Sequence, residues 1–112
     1  MIDTAAEVAQ LHALSDSYWG AFNSYDADAA VALYDEGYRL TREEQVRGDI
    51  SRMKIFRITL GISEVSPATL TAPNVGELYI DVKNPLGVSR VRMIFHKLDG
   101  EWKIVYAEEL DG

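Results

Sequence analysis

Between residues 5 and 23 the apolar side chains Val8, Leu11, Leu14, Tyr18 and Phe22 recur at steps of three and four, which places them on one stripe of a helix. A long amphipathic helix is predicted there. Asp26 precedes a second periodic segment carrying Ala30, Leu33 and Tyr34. Its carboxylate suits the free N–H groups of a helix start, and this second helix is expected to be short and to stop near Gly37. Residues 38–41 read as a short extended piece followed by a charged turn. Gly48-Asp49 then opens a third helical pattern, with Ile50, Met53 and Phe56 spaced by three. The β-favouring Ile58, Thr59 and Ile62 are expected to convert it to strand between Arg57 and Gly61.

The second half of the chain alternates with period two, and nothing in it is long enough for a helical crossover, so it reads as an antiparallel meander. Strands are expected at 63–72, 76–83, 88–97 and 101–110, punctuated by Pro73-Asn74, Asn84-Pro85-Leu86-Gly87 and Asp99-Gly100. Asp99-Gly100 is the strongest of these signals, because a two-residue hairpin turn needs positive φ at its centre. A tight turn there sets Leu98 opposite Glu101, Phe95 opposite Ile104, Met93 opposite Tyr106 and Arg92 opposite Ala107. Leu78, Ile80, Val82, Val91, Met93, Phe95, Trp102, Ile104 and Tyr106 then share one face. Glu77, Tyr79, Asp81, Arg90, Arg92 and His96 share the other. The apolar face should meet the helices, giving an α+β fold with three N-terminal helices packed on a strongly curved antiparallel β-sheet.

A chain of 112 residues has room for one hydrophobic core, since a domain of this size buries roughly two-thirds of its unfolded surface; one domain, 1–112, is expected. A net charge of -7 repels phosphate backbones and anionic lipid, which argues against nucleic-acid and membrane partners. No apolar run approaches the roughly 18 residues of a membrane span, and the opening MIDTAAEVAQ lacks the basic and apolar regions of a secretory signal. A cytoplasmic protein is expected. Absence of cysteine removes disulfides and thiolate chemistry. The basic run Arg39, Arg42, Arg47, Arg52, Lys54 and Arg57 is interleaved with Glu43, Glu44 and Asp49, the pattern of a solvated face of mixed charge.

The stretch YWGAFNSYDADAAVALYDEGYRL and the closing DGEWKIVYAEEL, with its Gly-x-Trp-Lys-Ile run, resemble the opening helix pair and last strand of the nuclear-transport-factor-2-like (SnoaL-like, cystatin-like) superfamily. The order of elements between them matches as well. The resemblance implies a pocket between helices and sheet and frequent dimers. It does not select an activity, because that superfamily spans ketosteroid isomerase, limonene epoxide hydrolase, scytalone dehydratase, polyketide cyclases and binding or assembly domains without chemistry. By resemblance to ketosteroid isomerase, the oxyanion-stabilising tyrosine falls on Tyr18. The general-base position falls on Arg42, which cannot accept a proton, and the second oxyanion donor falls at Ile94. No acidic residue occurs from Val82 to Leu98, so that enolisation lacks its base and one donor. An epoxide hydrolase of the limonene type needs a carboxylate, arginine, carboxylate set. The late strands offer Arg90, Arg92, Glu108 and Glu109, with Arg92 facing Ala107 unless a β-bulge re-aims the side chains.

Several residues are candidates for a site. Glu108, two residues past Tyr106 on the apolar face, could be desolvated into a usable acid or base. Tyr18, Tyr34, Tyr38 and Tyr106 could present phenolic donors around an apolar ligand walled by Met53, Phe56 and Met93. Arg42 could meet a carboxylate with its planar fork. His12 and Asp16, one helical turn apart, are half a metal site without a partner cluster, and His96 should face away from the apolar side, so no metal is expected. Nor is any cofactor, for want of a phosphate loop, nucleophile elbow or dinucleotide fingerprint. The expected function is binding of a small hydrophobic molecule, with Glu108 carrying any proton transfer. The competing expectation is a non-catalytic assembly module with a filled interior, forming a homodimer or higher homo-oligomer through Tyr79, Ile94 and Val105 on the far sheet face.

Overall fold

A computed structural model describes residues 3–110. Each of its three helices begins at an aspartate whose side chain accepts backbone N–H groups. Asp3 accepts from Ala6 at the start of α1 (Thr4–Asn23), Asp26 from Ala29 at α2 (Ala27–Val31), and Asp35 from Gly37 and Tyr38 at α3 (Glu36–Phe56). The last of these corrects the sequence reading. Residues 38–41 are helical, not extended, and Gly48-Asp49 lies inside α3 instead of opening a helix. No proline interrupts residues 36–56, Arg, Glu, Gln and Leu favour helix there, and Glu43 links Arg39 and Arg47 one turn to either side. These local gains outweigh the roughly 1 kcal/mol that an interior glycine costs. Arg57, at φ 53°, ends the helix in the left-handed region.

Five strands form one antiparallel sheet: β1 (Gly61–Glu64), β2 (Thr69–Ala72), β3 (Val75–Asn84), β4 (Gly87–Leu98) and β5 (Glu101–Glu109). The order is β1-β3-β4-β5, with β2 on the same partner as β1. The single strand expected over 63–72 is therefore two short ones. β1 pairs with residues 80–83 of β3 and β2 with residues 75–77, and between them Pro67 lacks the N–H that a continuous ladder needs. The 65–68 link is tied elsewhere: Val65 N donates to Tyr79 O at 3.0 Å and Ala68 N to His12 Nε2 at 3.0 Å. The Asp99-Gly100 turn has positive φ at both residues, 51° and 78°, and the expected pairings Leu98–Glu101, Phe95–Ile104 and His96–Lys103 are present.

Beyond Phe95 the expected register fails. A bulge inserts one extra residue in β5, so that Ile94 faces Tyr106, Met93 faces Ala107 and Arg92 faces Glu108. Tyr106 thereby leaves the apolar face and Ala107 takes its place. Otherwise that face is as expected: Leu78, Ile80, Val82, Val91, Met93, Phe95, Trp102 and Ile104 are buried beneath Leu11, Tyr18, Trp19, Phe22, Val46 and Ile50 of the helices. No described helix is long and apolar enough to cross a membrane.

Glu7, in the first turn of α1, fastens that helix to the β4–β5 hairpin by accepting from Lys97 Nζ at 2.6 Å and from Trp102 Nε1. The hydrogen bond from Lys97, then that from Trp102, holds the Glu7 carboxyl below the usual carboxylate range. A lowered folded-state pKa contributes stability that is present above the unfolded value and lost as pH falls through the folded one. Thermal unfolding measured from neutral pH to about pH 3 should therefore show the wild-type Tm falling more steeply below about pH 4.5 than that of Glu7→Gln. Parallel profiles would show that the linkage does not stabilise the fold.

Candidate functional site

Because α3 is continuous, Arg42, Val46, Asp49, Met53 and Phe56 fall at steps of three and four along one of its faces. Tyr18, Trp19 and Phe22 of α1 stand nearby, and the floor is Val82 of β3, Val91 of β4 and Ala107 of β5. These floor side chains are small, and the space above them is a cavity of about 710 Å³. Ile58, Leu60, Asn84, Pro85, Leu86 and Glu109 extend its wall toward the rim. The β5 bulge is what keeps the floor low: a regular strand would have put Tyr106 inward, where Ala107 now stands with 4% exposure.

Asn23 holds the 57–60 segment against this wall. Its Nδ2 donates to Leu60 O at 2.9 Å and its Oδ1 accepts from Leu60 N at 2.7 Å, an imitation of strand pairing, while Tyr25 Oη donates to Ile58 O at 3.0 Å.

The tyrosines line up end to end. Tyr18 and Tyr34 share a short hydroxyl–hydroxyl hydrogen bond, the rings of Tyr34 and Tyr38 stand edge-on at 5.1 Å, and Tyr38 and Tyr106 are 6.4 Å apart. Burial pushes the Tyr18 phenol well above its ordinary pKa, with Tyr34 adding to the effect; burial also raises Tyr34, and lifts Tyr38 to about 12. All three remain protonated donors near neutral pH and cannot act as bases.

Tyr38 has a second task. β5 is an edge strand, and past the bulge its outward backbone groups lack a neighbouring strand. Tyr38 Oη accepts from Ala107 N at 3.0 Å and lies 3.3 Å from Glu108 Oε2, to which it donates. Further along that edge, Ile104 N donates to Leu33 O at 2.9 Å and Asp35 N donates to Ile104 O at 2.8 Å. Glu108 thus belongs by strand parity to the face away from the helices, opposite Arg92, yet reaches the cavity wall around the sheet edge.

Of the residues singled out in the sequence, Tyr18, Arg42, Met53, Phe56 and Glu108 line the cavity. Tyr34 and Tyr38 sit immediately behind it in the tyrosine chain. Met93 does not line it: it lies in the core at 0% exposure, with Ser15 Oγ donating to its sulfur at 3.6 Å. Tyr106 does not line it either, for the reason of register. Trp19, Val46, Leu60 and Ala107 were not anticipated. Trp19 adjoins the predicted stripe of α1, and Val46 becomes visible once α3 is recognised as one helix; Ala107 depends on the bulge and has no local signal.

The carboxylate, arginine, carboxylate set does not assemble at the cavity: Arg92 pairs with Glu77 at 2.6 Å and only faces Glu108 in the ladder, and Glu77 and Arg92 stand on the far sheet face. His12 turns its Nε2 to the backbone of Ala68, and its Nδ1 lies 2.9 Å from Glu64 Oε1 without hydrogen-bond alignment.

Two residues of the cavity wall each hold a buried donor with no acceptor among the described residues: Trp19 Nε1 and Arg42 Nε. The Tyr18–Tyr34 pair adds a third. Two hydroxyls carry two hydrogens and their mutual bond consumes one; Arg42, beside the Tyr34 hydroxyl, is itself a donor and cannot take the other.

No family model and no curated protein matches the sequence. Solved structures do match the fold. A calcium/calmodulin-dependent protein kinase type II association domain from Thiobacillus denitrificans, described as putative, superposes with a TM-score of 0.72 at 15% identity, over 89% of this chain and 94% of that one. An NTF-2-like protein of unknown function from Shewanella oneidensis gives 0.64 at 14% identity, over 90% and 96%. A protein of unknown function from Mycobacterium tuberculosis gives 0.67 at 15% identity, over 96% and 72%. With three helices laid on one face of a five-stranded antiparallel sheet, this chain has the nuclear-transport-factor-2-like fold.

Proposed function

We propose that this chain binds a small, largely apolar molecule in the cavity between α1, α3 and the sheet. The observation that carries the reading is the low floor of Val82, Val91 and Ala107 beneath a space of about 710 Å³. Its size and its apolar walls with few polar groups are those of small-molecule sites. A filled interior, as a pure assembly module would have, fits this space poorly. If the occupant is transformed, the proton transfer falls to Glu108, because the tyrosines hold their protons, Arg42 cannot accept one, Asp49 is paired with Arg52 and Glu109 is exposed at the rim.

The test is thermal-shift titration of the wild type and of Ala107→Phe with hydrophobic carboxylic acids and cyclic ketones. A ligand at 100 times its Kd should stabilise the wild type by about 2.7 kcal/mol, and the phenyl ring, filling the floor, should abolish the response while the variant still unfolds cooperatively. A wild type silent across the panel, or an equal response in Ala107→Phe, would remove the cavity from the account and favour self-association.

A further inference from the structure

The hydrogen-bond inventory of the cavity is lopsided. Around it stand the spare hydrogen of the Tyr18–Tyr34 pair and, buried within the wall, Trp19 Nε1 and Arg42 Nε, donors without an acceptor among the described residues. Buried donors left unpaired are costly, and native interiors rarely hold several together. The charged groups do not remedy this. Asp49 and Arg52 neutralise each other on α3, Glu109 is exposed at the rim, and Glu108 already accepts from Tyr38. Among the described residues, no carboxylate lies within ion-pair distance of Arg42, whose Nη1 donates to the Gln45 side chain at 2.5 Å and whose guanidinium stands beside the Tyr34 hydroxyl. At the open end the chemistry is opposite: Phe56 and Leu86, 70% and 98% exposed, present bare apolar surface on α3 and on the β3–β4 turn.

We propose that the occupant is an amphiphilic carboxylate, its oxygens meeting Arg42 and the Tyr18–Tyr34 pair and its apolar chain running past Met53 toward Phe56 and Leu86. This rests on the cavity being a binding site and adds the class and orientation of what enters it. A carboxylate offers two acceptor oxygens and about four lone-pair sites, enough for the terminal nitrogens of Arg42 and the spare phenol hydrogen. A planar guanidinium is the side chain suited to it. A neutral molecule of the same length would leave Arg42 without a direct ion-pair partner, with only the more distant charge of Glu108 nearby.

The experiment is calorimetric titration of the full chain at neutral pH with straight-chain alkanoates from hexanoate to dodecanoate and with the primary alcohols of matching length. Acids should bind at least about tenfold more tightly than their alcohols, a difference of the size expected for one charge-assisted contact, and affinity should rise with chain length in both series. In Arg42→Gln the acid-to-alcohol ratio should fall toward one while alcohol binding persists, which also shows that the variant is folded. Tyr34→Phe should lower the ratio in part. Equal binding of acids and alcohols by the wild type, or a ratio that survives Arg42→Gln, would overturn the assignment and leave the cavity reading intact. Binding of cyclic ketones that Ala107→Phe abolishes, with no binding of either chain series, would likewise overturn the carboxylate alone. Silence from acids, alcohols and ketones together would overturn both.

Discussion

Phe95→Ala is expected to destabilise the protein by about 3–5 kcal/mol, near the upper end for a single core truncation. The ring is fully buried in β4, where its neighbours across the ladder are Ile104 of β5 and Gly76 of β3. Gly76 has no side chain to swing into the vacated volume. The ladder on the other side is held by Ile104, whose backbone is fixed at once to β4 and to residues 33 and 35. A site that cannot collapse keeps its cavity, and the cost of truncation grows with the cavity that remains. Urea unfolding monitored by tryptophan fluorescence should show a lower midpoint at unchanged m-value. Phe95→Leu, which retains most of the volume, should lose far less. A loss under about 1 kcal/mol for the alanine would mean that the helices settle onto the sheet and that the core is less rigidly framed than its ladder implies.

The parts of the fold legible in the sequence are those written locally. Asp26, the stripe from Val8 to Phe22, the alternation of β3 and β4 and the Asp99-Gly100 turn each act within a few residues, and each sits in the structure as its chemistry predicts. α3 was legible only in part. Its buried residues are Val46, Ile50 and Met53, while Leu40 is exposed, so apolar periodicity is weak over its first turns. Capping by Asp35 and charge pairs hold that region in helix instead. Pro67 was a visible reason to divide the strand over 63–72, but the pull of alternation hid it.

The bulge had no such sign. Val105-Tyr106 is an ordinary β sequence, and what accompanies the extra residue is distant in the chain: residues 33–35 fix Ile104, and Tyr38 engages Ala107. A one-residue change in register flips every later side chain, so this single feature divided the expected site. Tyr18, Arg42, Met53 and Phe56, carried by helices, reached the cavity regardless, whereas Tyr106 depended on the register and turned away. Glu108 came to the wall by a route around the sheet edge that parity alone would have denied it.

How α1 is seated on the sheet can be tested through Leu11 and Gly76. Leu11 is fully buried, and its Cδ1 occupies the position that a Cβ on Gly76 would need, with Cδ2 only 3.3 Å from that position. Glycine weakens a strand interior, and its presence in β3 is explained by this knob. Leu11→Ala should cost about 2–5 kcal/mol through lost burial and a residual cavity. Gly76→Ala should cost about 1–3 kcal/mol, because the methyl group forces the leucine off its rotamer or lifts the helix. Together the two changes should be less damaging than their sum. Once the leucine is truncated the new methyl enters vacated space and adds a residue better suited to strand, so the coupling should be about 1 kcal/mol or more in the stabilising direction. Chemical denaturation of the four proteins in the cycle measures this directly. Simple additivity would mean that the two positions do not touch, and that α1 rests on the sheet by some other contact.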